Sequence, residues 1–157
     1  MICAVGLFFL WTKVFWKTFA CSVAGSYECV ETWTFKVSQS ELLEIIHQIK
    51  KEHPELEVPN YCCSIERQHK YWYYVVFYYK DTNQDVHTWI RPNDDILSTT
   101  FALVSIAAHN NANAPAGSSN YEVREINKDY EYFENRKAIK KFEEKIIKLI
   151  EERINKL

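Results

Sequence analysis

The nine residues from Tyr71 to Tyr79 constrain the fold of this chain more than any other stretch. They read YWYYVVFYY, and aromatic and β-branched residues of this kind favour extended strands. Alternate residues of a strand point to opposite sides, so both sides of this strand are apolar. Because a strand with two apolar faces needs cover on both, the stretch predicts a central strand in a sheet that carries one helix on each face.

A strand followed by a helix is predicted ahead of this stretch. Residues 30–37 alternate, with Trp33, Phe35 and Val37 on the side predicted to face the core. Ser38 and Glu41 then have the spacing of a capping box, which marks a helix start. Apolar residues continue at helical spacing to residue 49, and Pro54 ends the segment.

The residues after the aromatic stretch predict a meander and a final helix. A polar turn at 81–85 leads to a strand over 86–91, a second turn at 93–95 leads to a strand over 97–107, and residues 121–126 form a short edge strand. Residues 109–120 have the composition of a flexible loop. The last helix, over about 135–156, is amphipathic; its apolar stripe is Ile139, Phe142, Ile146, Leu149, Ile150 and Ile154.

These elements define an α+β fold. The prediction is an antiparallel sheet of about four to five strands packed with an N-terminal-half helix and a long C-terminal amphipathic helix. Residues 25–157 are expected to form this single domain, and residues 1–24 to act as a signal peptide or membrane-targeting segment.

Residues 1–11 are apolar throughout, but this run is about half of the roughly 20 residues that a membrane-spanning helix needs. It therefore fits the apolar part of a secretory signal. Ser22-Val23-Ala24 has the small-x-small pattern of a cleavage site, and Thr18-Phe19-Ala20-Cys21 offers Cys21 for lipidation. However, Lys13 and Lys17 follow the run and no basic residue precedes it, which leaves a signal anchor or a buried N-terminal element open as alternatives.

The N-terminal pattern, the early cysteine and the small α+β body resemble the small envelope lipoproteins of Gram-negative bacteria. Thr18-Phe19-Ala20-Cys21 matches their lipobox at Ala20 and Cys21, with Thr18 where that family usually has leucine. The resemblance implies a location in the bacterial cell envelope, either lipid-anchored or secreted to the periplasm, and implies no activity.

Cysteine usage is consistent with export. If the residues up to Cys21 are removed or lipidated, Cys29, Cys62 and Cys63 remain. They allow one disulfide from Cys29 to either of the other two, with one thiol left over. The alternative is a reduced protein with ordinary buried cysteines.

Composition and motifs exclude several function classes. The net charge of −2 lacks the basic surplus of a nucleic-acid binder, and three glycines in the whole chain leave no phosphate-binding loop. We expect no cofactor and no metal, because the histidines lack ligand spacing. Asp81, Asn83 and Asp85 have the spacing of the first three ligands in a calcium-binding loop. However, the sixth position of that loop needs glycine and is Val86, and the twelfth needs glutamate and is Pro92.

The aromatic surface is the predicted binding site. A hairpin turning at 81–85 brings Trp72, Tyr74, Tyr78 and Trp89 to one sheet face, and such rings suit protein partners and sugars alike. The leading hypothesis is a non-enzymatic protein-binding domain, one form of which is an immunity or inhibitor partner of a secreted toxin. The alternatives are a glycan-binding module using these rings, and a small hydrolase.

The hydrolase alternative rests on the cluster His87, Asp94 and Asp95, which are predicted to meet at one end of the meander. No motif positions a nucleophile or an oxyanion donor beside these residues, so no catalytic residue is assigned.

Overall fold

A computed structural model describes residues 29–59, 67–68, 72–95, 97–109 and 121–157. The strands in this part of the chain are β1 (Glu31–Phe35), β2 (Arg67–Gln68), β3 (Tyr73–Tyr79), β4 (Gln84–Pro92), β5 (Thr99–His109) and β6 (Tyr121–Glu125). Helix α1 is Gln39–Glu52, a 3₁₀ turn follows at Pro54–Leu56, and helix α2 occupies residues 132–154.

All strands join one antiparallel sheet in the order β1-β5-β4-β3-β2, with β6 also paired to β5. Strand β4 lies along one side of β5. On the other side β1 pairs with residues 99–103 and β6 with residues 105–109, so these two short strands lie end to end. The sheet is therefore five strands wide, and the predicted α+β fold with two helices is confirmed.

Helix α1 begins as the sequence predicts. The Ser38 hydroxyl accepts a hydrogen bond from the Glu41 backbone N–H at 3.3 Å, and the Glu41 carboxylate accepts one from the Ser38 backbone N–H at 2.9 Å. This capping box satisfies two backbone donors that the first turn leaves unpaired. Hydrogen bonds from Ser38 lower the pKa of Glu41.

Helix α2 is α-helical over Tyr132–Phe142, π-helical over Glu143–Ile147 and α-helical again over Lys148–Ile154. Its inner side buries Phe142, Ile146 and Ile150 completely. The Phe142 ring lies 5.2 Å from the Trp33 ring and 5.7 Å from the Phe101 ring, measured between centroids. Aromatic contacts at this spacing add to the apolar area that the helix buries against the sheet.

Both helices pack against the same face of the sheet. Residues of α1 and α2 form one apolar cluster with Val75, Phe77 and Tyr79 of β3, and the Arg153 guanidinium of α2 contacts the Glu52 carboxylate of α1. The expectation of one helix on each face is therefore wrong. Each helix has a single apolar stripe, and the two stripes lie side by side on one surface. We call the opposite surface the distal face; neither α1 nor α2 covers it.

A β-bulge in β5 changes which residues reach the distal face. The register with β4 shifts between His87 and Thr88, whose partners are Ser105 and Leu103, so Val104 is the extra residue. A bulge reverses the side-chain alternation beyond it. Leu103 faces the helices, whereas Ser105 and the odd-numbered residues that follow face away from them.

Asn127 joins the start of β1 to the start of α2. Its backbone has a φ of 61°, a left-handed conformation that asparagine tolerates better than most residues. Its Nδ2 donates to the Cys29 carbonyl at 2.8 Å and to the Glu31 carboxylate at 3.2 Å. Its Oδ1 accepts from Asn135 Nδ2 at 2.6 Å, so one side chain connects three segments.

Cys29 is disulfide-bonded. The pairing with Cys62 or Cys63 stays a prediction, because both lie outside the described residues. The signal segment at 1–24, lipidation of Cys21 and the loop at 110–120 lie outside them too. Within the described ranges no helix combines the length and apolar character that crossing a membrane requires.

Candidate functional site

The predicted aromatic residues share the distal face. Tyr74 pairs with Trp89 across β3 and β4, and the Trp72 ring lies 6.4 Å from the Tyr74 ring and 6.5 Å from the Trp89 ring. Tyr78 is on the same face but near the other end of the hairpin, where it pairs with Asp85. The structure thus brings three of the four residues into one cluster and separates the fourth.

This aromatic cluster does not form an open binding platform. Trp89 is buried, and Trp72, Tyr74 and Tyr78 are half-buried. The Tyr78 hydroxyl donates to Asn83 Oδ1 at 2.6 Å, so its polar end is engaged within the turn. Rings in this state contribute packing, and stacking a sugar on them requires more exposed ring area than Trp89 presents.

The residues of the predicted hydrolase cluster do not meet. His87 lies in the middle of β4, opposite Val76 and Ser105, whereas Asp94 and Asp95 lie in the turn after β4. Five residue steps of strand lead from His87 to Pro92 at the end of β4, a distance of about 17 Å at roughly 3.3 Å per residue, and Asp94 lies in the turn beyond it. Asp95 instead accepts a hydrogen bond from the Ser98 backbone N–H at 3.0 Å and shapes the turn.

The three residues with the spacing of calcium-loop ligands, Asp81, Asn83 and Asp85, have three different sets of partners. Asp81 pairs with Lys141 and Lys145, both at 3.3 Å, Asn83 contacts Tyr78, and Asp85 is completely buried. In the part of the chain that the structure describes, no three His, Cys, Asp or Glu side chains are grouped so that they could hold a metal ion.

The distal face contains a buried acid–imidazole pair that the sequence analysis did not identify. Asp85 Oδ2 lies 2.8 Å from His109 Nε2, and the two side chains are 1% and 4% exposed. The His109 backbone is held by Asn83, whose carbonyl accepts from its N–H at 3.1 Å and whose Nδ2 donates to its carbonyl at 3.2 Å. Asp85 Oδ1 has no hydrogen-bond partner among the described residues.

His87 lies two residues from Asp85 on the same face and completes this polar cluster. Burial lowers the pKa of His87; the nearby Asp85 carboxylate opposes that effect and His109 adds to it. An imidazole next to a carboxylate has the chemistry of a general base. Here, however, the pair is closed off from solvent, and a substrate needs access to such a base. The arrangement therefore supports a structural role.

We expect this cluster to make the domain less stable in acid. The folded pKa of His87 is below its ordinary value of about 6.5, so the unfolded chain takes up a proton at a pH where the folded chain does not. Stability is fully present above about pH 6.5 and is lost as the pH falls from there toward the folded pKa, with a slope of up to about 1.4 kcal/mol per pH unit for one proton. Urea unfolding of the wild type and His87→Gln between pH 8 and pH 5 measures this loss.

The variant His87→Gln should lose less stability in acid than the wild type does. His47→Gln is the matched control, because it removes an exposed histidine of α1 that lies outside the cluster. Parallel pH profiles for all three proteins would contradict the assignment to His87.

A second site lies at the start of α2. Tyr132 and Phe133 are 56% and 77% exposed, and their rings meet edge to face at 5.3 Å between centroids. Arg136 Nη1 donates to the Tyr132 hydroxyl at 3.0 Å, and its guanidinium lies 5.8 Å from the Tyr132 ring centroid. We call Tyr132, Phe133 and Arg136 the aromatic–arginine patch.

The backbone under this patch is firmly held. The Arg124 guanidinium of β6 contacts the Glu134 carboxylate at 2.9 Å and lies 3.9 Å above the Tyr130 ring. The hydrogen bond from Arg124 lowers the pKa of Glu134. On the other side Asn135 is bonded to Asn127. The patch is therefore presented by an ordered junction between β6 and α2.

Sequence reasoning missed this patch because the helix starts earlier than predicted. The sequence predicts the main helix from about Asn135, with Asn127 or Asp129 as the cap of helical structure before it, whereas the helix begins at Tyr132. Glu131 occupies the N-cap and makes no side-chain capping bond, so the usual sequence signal of a helix start is absent.

Comparison of the chain with protein-family models, with curated proteins and with solved structures gave no match.

Proposed function

We propose that this chain is an exported, non-enzymatic protein-binding domain that docks its partner on the aromatic–arginine patch. The observation that carries the proposal is the exposure of two adjacent large rings, Tyr132 and Phe133, beside an arginine that is hydrogen-bonded to the Tyr132 hydroxyl. Single exposed apolar residues are common on protein surfaces, but a contiguous aromatic group suggests an interaction site. Aromatic residues and arginine are also enriched in protein interfaces, and Tyr and Arg among the residues that dominate binding energy.

The acid–imidazole cluster supports the non-enzymatic part of the proposal. Asp85 and His109 are closed to solvent, and the residues of the alternative hydrolase site are spread along β4 and its following turn. The glycan-binding alternative has less support than the protein-binding one, because Trp89 is buried. The partner could be a secreted toxin, in which case the domain would be its immunity or inhibitor protein.

Two observations support export to the cell envelope. The first is the apolar run at residues 1–11, with Cys21 and Ala24 as processing points behind it. The second is the disulfide at Cys29, a bond that persists in oxidising compartments. Mass spectrometry of the mature N-terminus should find either a lipidated Cys21 or Gly25 as the first residue; an intact Met1 would contradict both forms of processing.

Site-specific photo-crosslinking tests the docking surface. In one full-length variant p-benzoylphenylalanine replaces Phe133, and in a matched control it replaces Leu97, which is equally exposed at 77% but lies in the turn before β5. After irradiation in the source cells, we expect a discrete protein adduct at position 133 and none of that mass at position 97. The adduct should disappear when Tyr132→Ala and Arg136→Ala are added.

Two results would refute the docking surface. One is an absence of protein adducts at position 133. The other is an identical set of adducts at positions 133 and 97, since this would indicate random collisions with neighbouring proteins.

A further inference from the structure

We infer that the partner segment on the aromatic–arginine patch is acidic, with an apolar side chain next to its carboxylate. This inference rests on the proposed function and specifies the chemistry of the partner. Three properties of the patch lead to it: the charge of the first half of α2, the fixed orientation of Arg136, and the exposure of Phe133.

The first half of α2 carries an excess of positive charge. The segment Tyr132–Phe142 holds four basic residues (Arg136, Lys137, Lys140 and Lys141) and one acidic residue, Glu134, a net charge of +3. Glu134 is already paired with Arg124, Lys141 with Asp81 and Lys140 with Glu144. Within the described ranges, Arg136 and Lys137 have no carboxylate at ion-pair distance. Lys137 already acts electrostatically on Glu134, so Arg136 is the main cation that an acidic partner would neutralise, with Lys137 next to it in the helix.

Arg136 is held in an orientation suited to a carboxylate. Its hydrogen bond to the Tyr132 hydroxyl and its position near the Tyr132 ring hold the guanidinium beside the helix. One N–H is used in that bond, and the remaining N–H groups of the planar fork match the two oxygens of a carboxylate. Because this hydrogen bond already restricts the side chain, less conformational entropy is lost when it binds.

Phe133 determines what should accompany the carboxylate. Its ring is 77% exposed and meets the Tyr132 ring at its edge, so it offers apolar area directly beside the cations. An apolar side chain next to the acidic residue would cover that area, and burial of the ring would strengthen the ion pair by excluding water. A membrane surface or nucleic acid is a poorer fit, because its extended anionic surface would also cover the exposed carboxylates Glu131, Glu143 and Glu144. A short acidic segment needs to contact only Arg136, Lys137 and the rings beside them.

Peptide binding to the full-length chain tests the inference. The probes are fluorescent seven-residue peptides with one Phe or Leu among Asp and Glu residues, the same peptides with Asn and Gln, and the same with Lys and Arg. By fluorescence polarisation the acidic set should bind at least about tenfold more tightly than the amide set, which corresponds to about 1.4 kcal/mol. Arg136→Gln should remove that preference, and binding should weaken as salt is added. Lys148→Gln, an exposed lysine farther along α2, is the matched control and should leave the affinities unchanged.

The outcomes separate this inference from the proposed function. One outcome is that acidic and amide peptides bind with equal affinity and Phe133→Ala weakens both. It would support the docking surface but contradict the inference that the partner segment is acidic. Binding that Phe133→Ala does not alter would overturn the docking surface itself. Failure of the acidic set to bind at millimolar concentration would overturn the inference. Tighter binding to phosphatidylglycerol vesicles than to phosphatidylcholine vesicles, with no preference among peptides, would replace it with a membrane-surface role.

Discussion

Replacing Phe142 with alanine is expected to lower the free energy of unfolding by about 3–5 kcal/mol. The Phe142 side chain is completely buried and contacts the rings of Trp33 and Phe101 from two different strands. Its removal would eliminate both aromatic contacts and leave a cavity between α2 and the sheet, which the surrounding strands can fill only in part. Urea or guanidinium unfolding followed by circular dichroism measures the change.

Phe133→Ala is the matched control on the same helix. Phe133 is the same type of residue but is 77% exposed, so its removal should change the free energy of unfolding by about 0.5 kcal/mol or less. A small effect of Phe142→Ala, similar to that of Phe133→Ala, would mean that α2 does not pack on the sheet through this ring.

The second large effect is expected from Asp85→Ala, which should lower the free energy of unfolding by about 3 kcal/mol at neutral pH. The substitution would leave His109 buried without the carboxylate that it contacts at 2.8 Å, and a buried polar group that loses its partner bears the cost of its desolvation. This loss in free energy of unfolding should be at the low end of the range for broken buried pairs. The reason is that Asp85 Oδ1 makes no hydrogen bond among the described residues, so only one oxygen of the native carboxylate has a partner.

The chain contains an exposed pair of the same chemistry for comparison. His53 Nδ1 lies 3.2 Å from the Glu55 carboxylate at the surface, and Glu55→Ala should change the free energy of unfolding by less than about 1 kcal/mol. Asp85→Asn should be milder than Asp85→Ala, because the amide keeps an oxygen acceptor for His109. Equal effects of Asp85→Ala and Glu55→Ala would show that burial adds nothing to the Asp85–His109 contact.

Local sequence patterns predicted most of the secondary structure. The alternation around Trp33 and Phe35, the capping box at Ser38 and the double-sided apolar stretch of β3 each have a physical basis that acts over a few residues. The α+β fold followed from their order, and the structure confirms it. Such patterns identify an apolar face without specifying which other face will cover it. For this reason the sequence did not reveal that both helices share one side of the sheet.

Local sequence patterns do not predict the contact between Asp85 and His109, for a second reason. By simple alternation along β5, His109 belongs with Phe101 and Leu103 on the helix side. The extra residue Val104 reverses the alternation and brings His109 to the distal face, where Asp85 lies. Nothing in the composition of residues 99–109 marks the position of that bulge, so the contact between Asp85 and His109 depends on a register that only the assembled sheet defines.

Asn127 has a mechanical consequence for the domain. A force applied to the chain at residue 29 would act along β1, which pairs with β5 over residues 31–35. If the force is parallel to β1, the strand has to slide past its neighbour, with all of its pairs strained together, rather than separate one pair at a time. The Asn127 side chain bonds the Cys29 carbonyl and also contacts Asn135 in α2, so part of the same force would pass directly to the C-terminal helix. For a pull directed along β1, Asn127 therefore couples the start of that strand to the C-terminal helix.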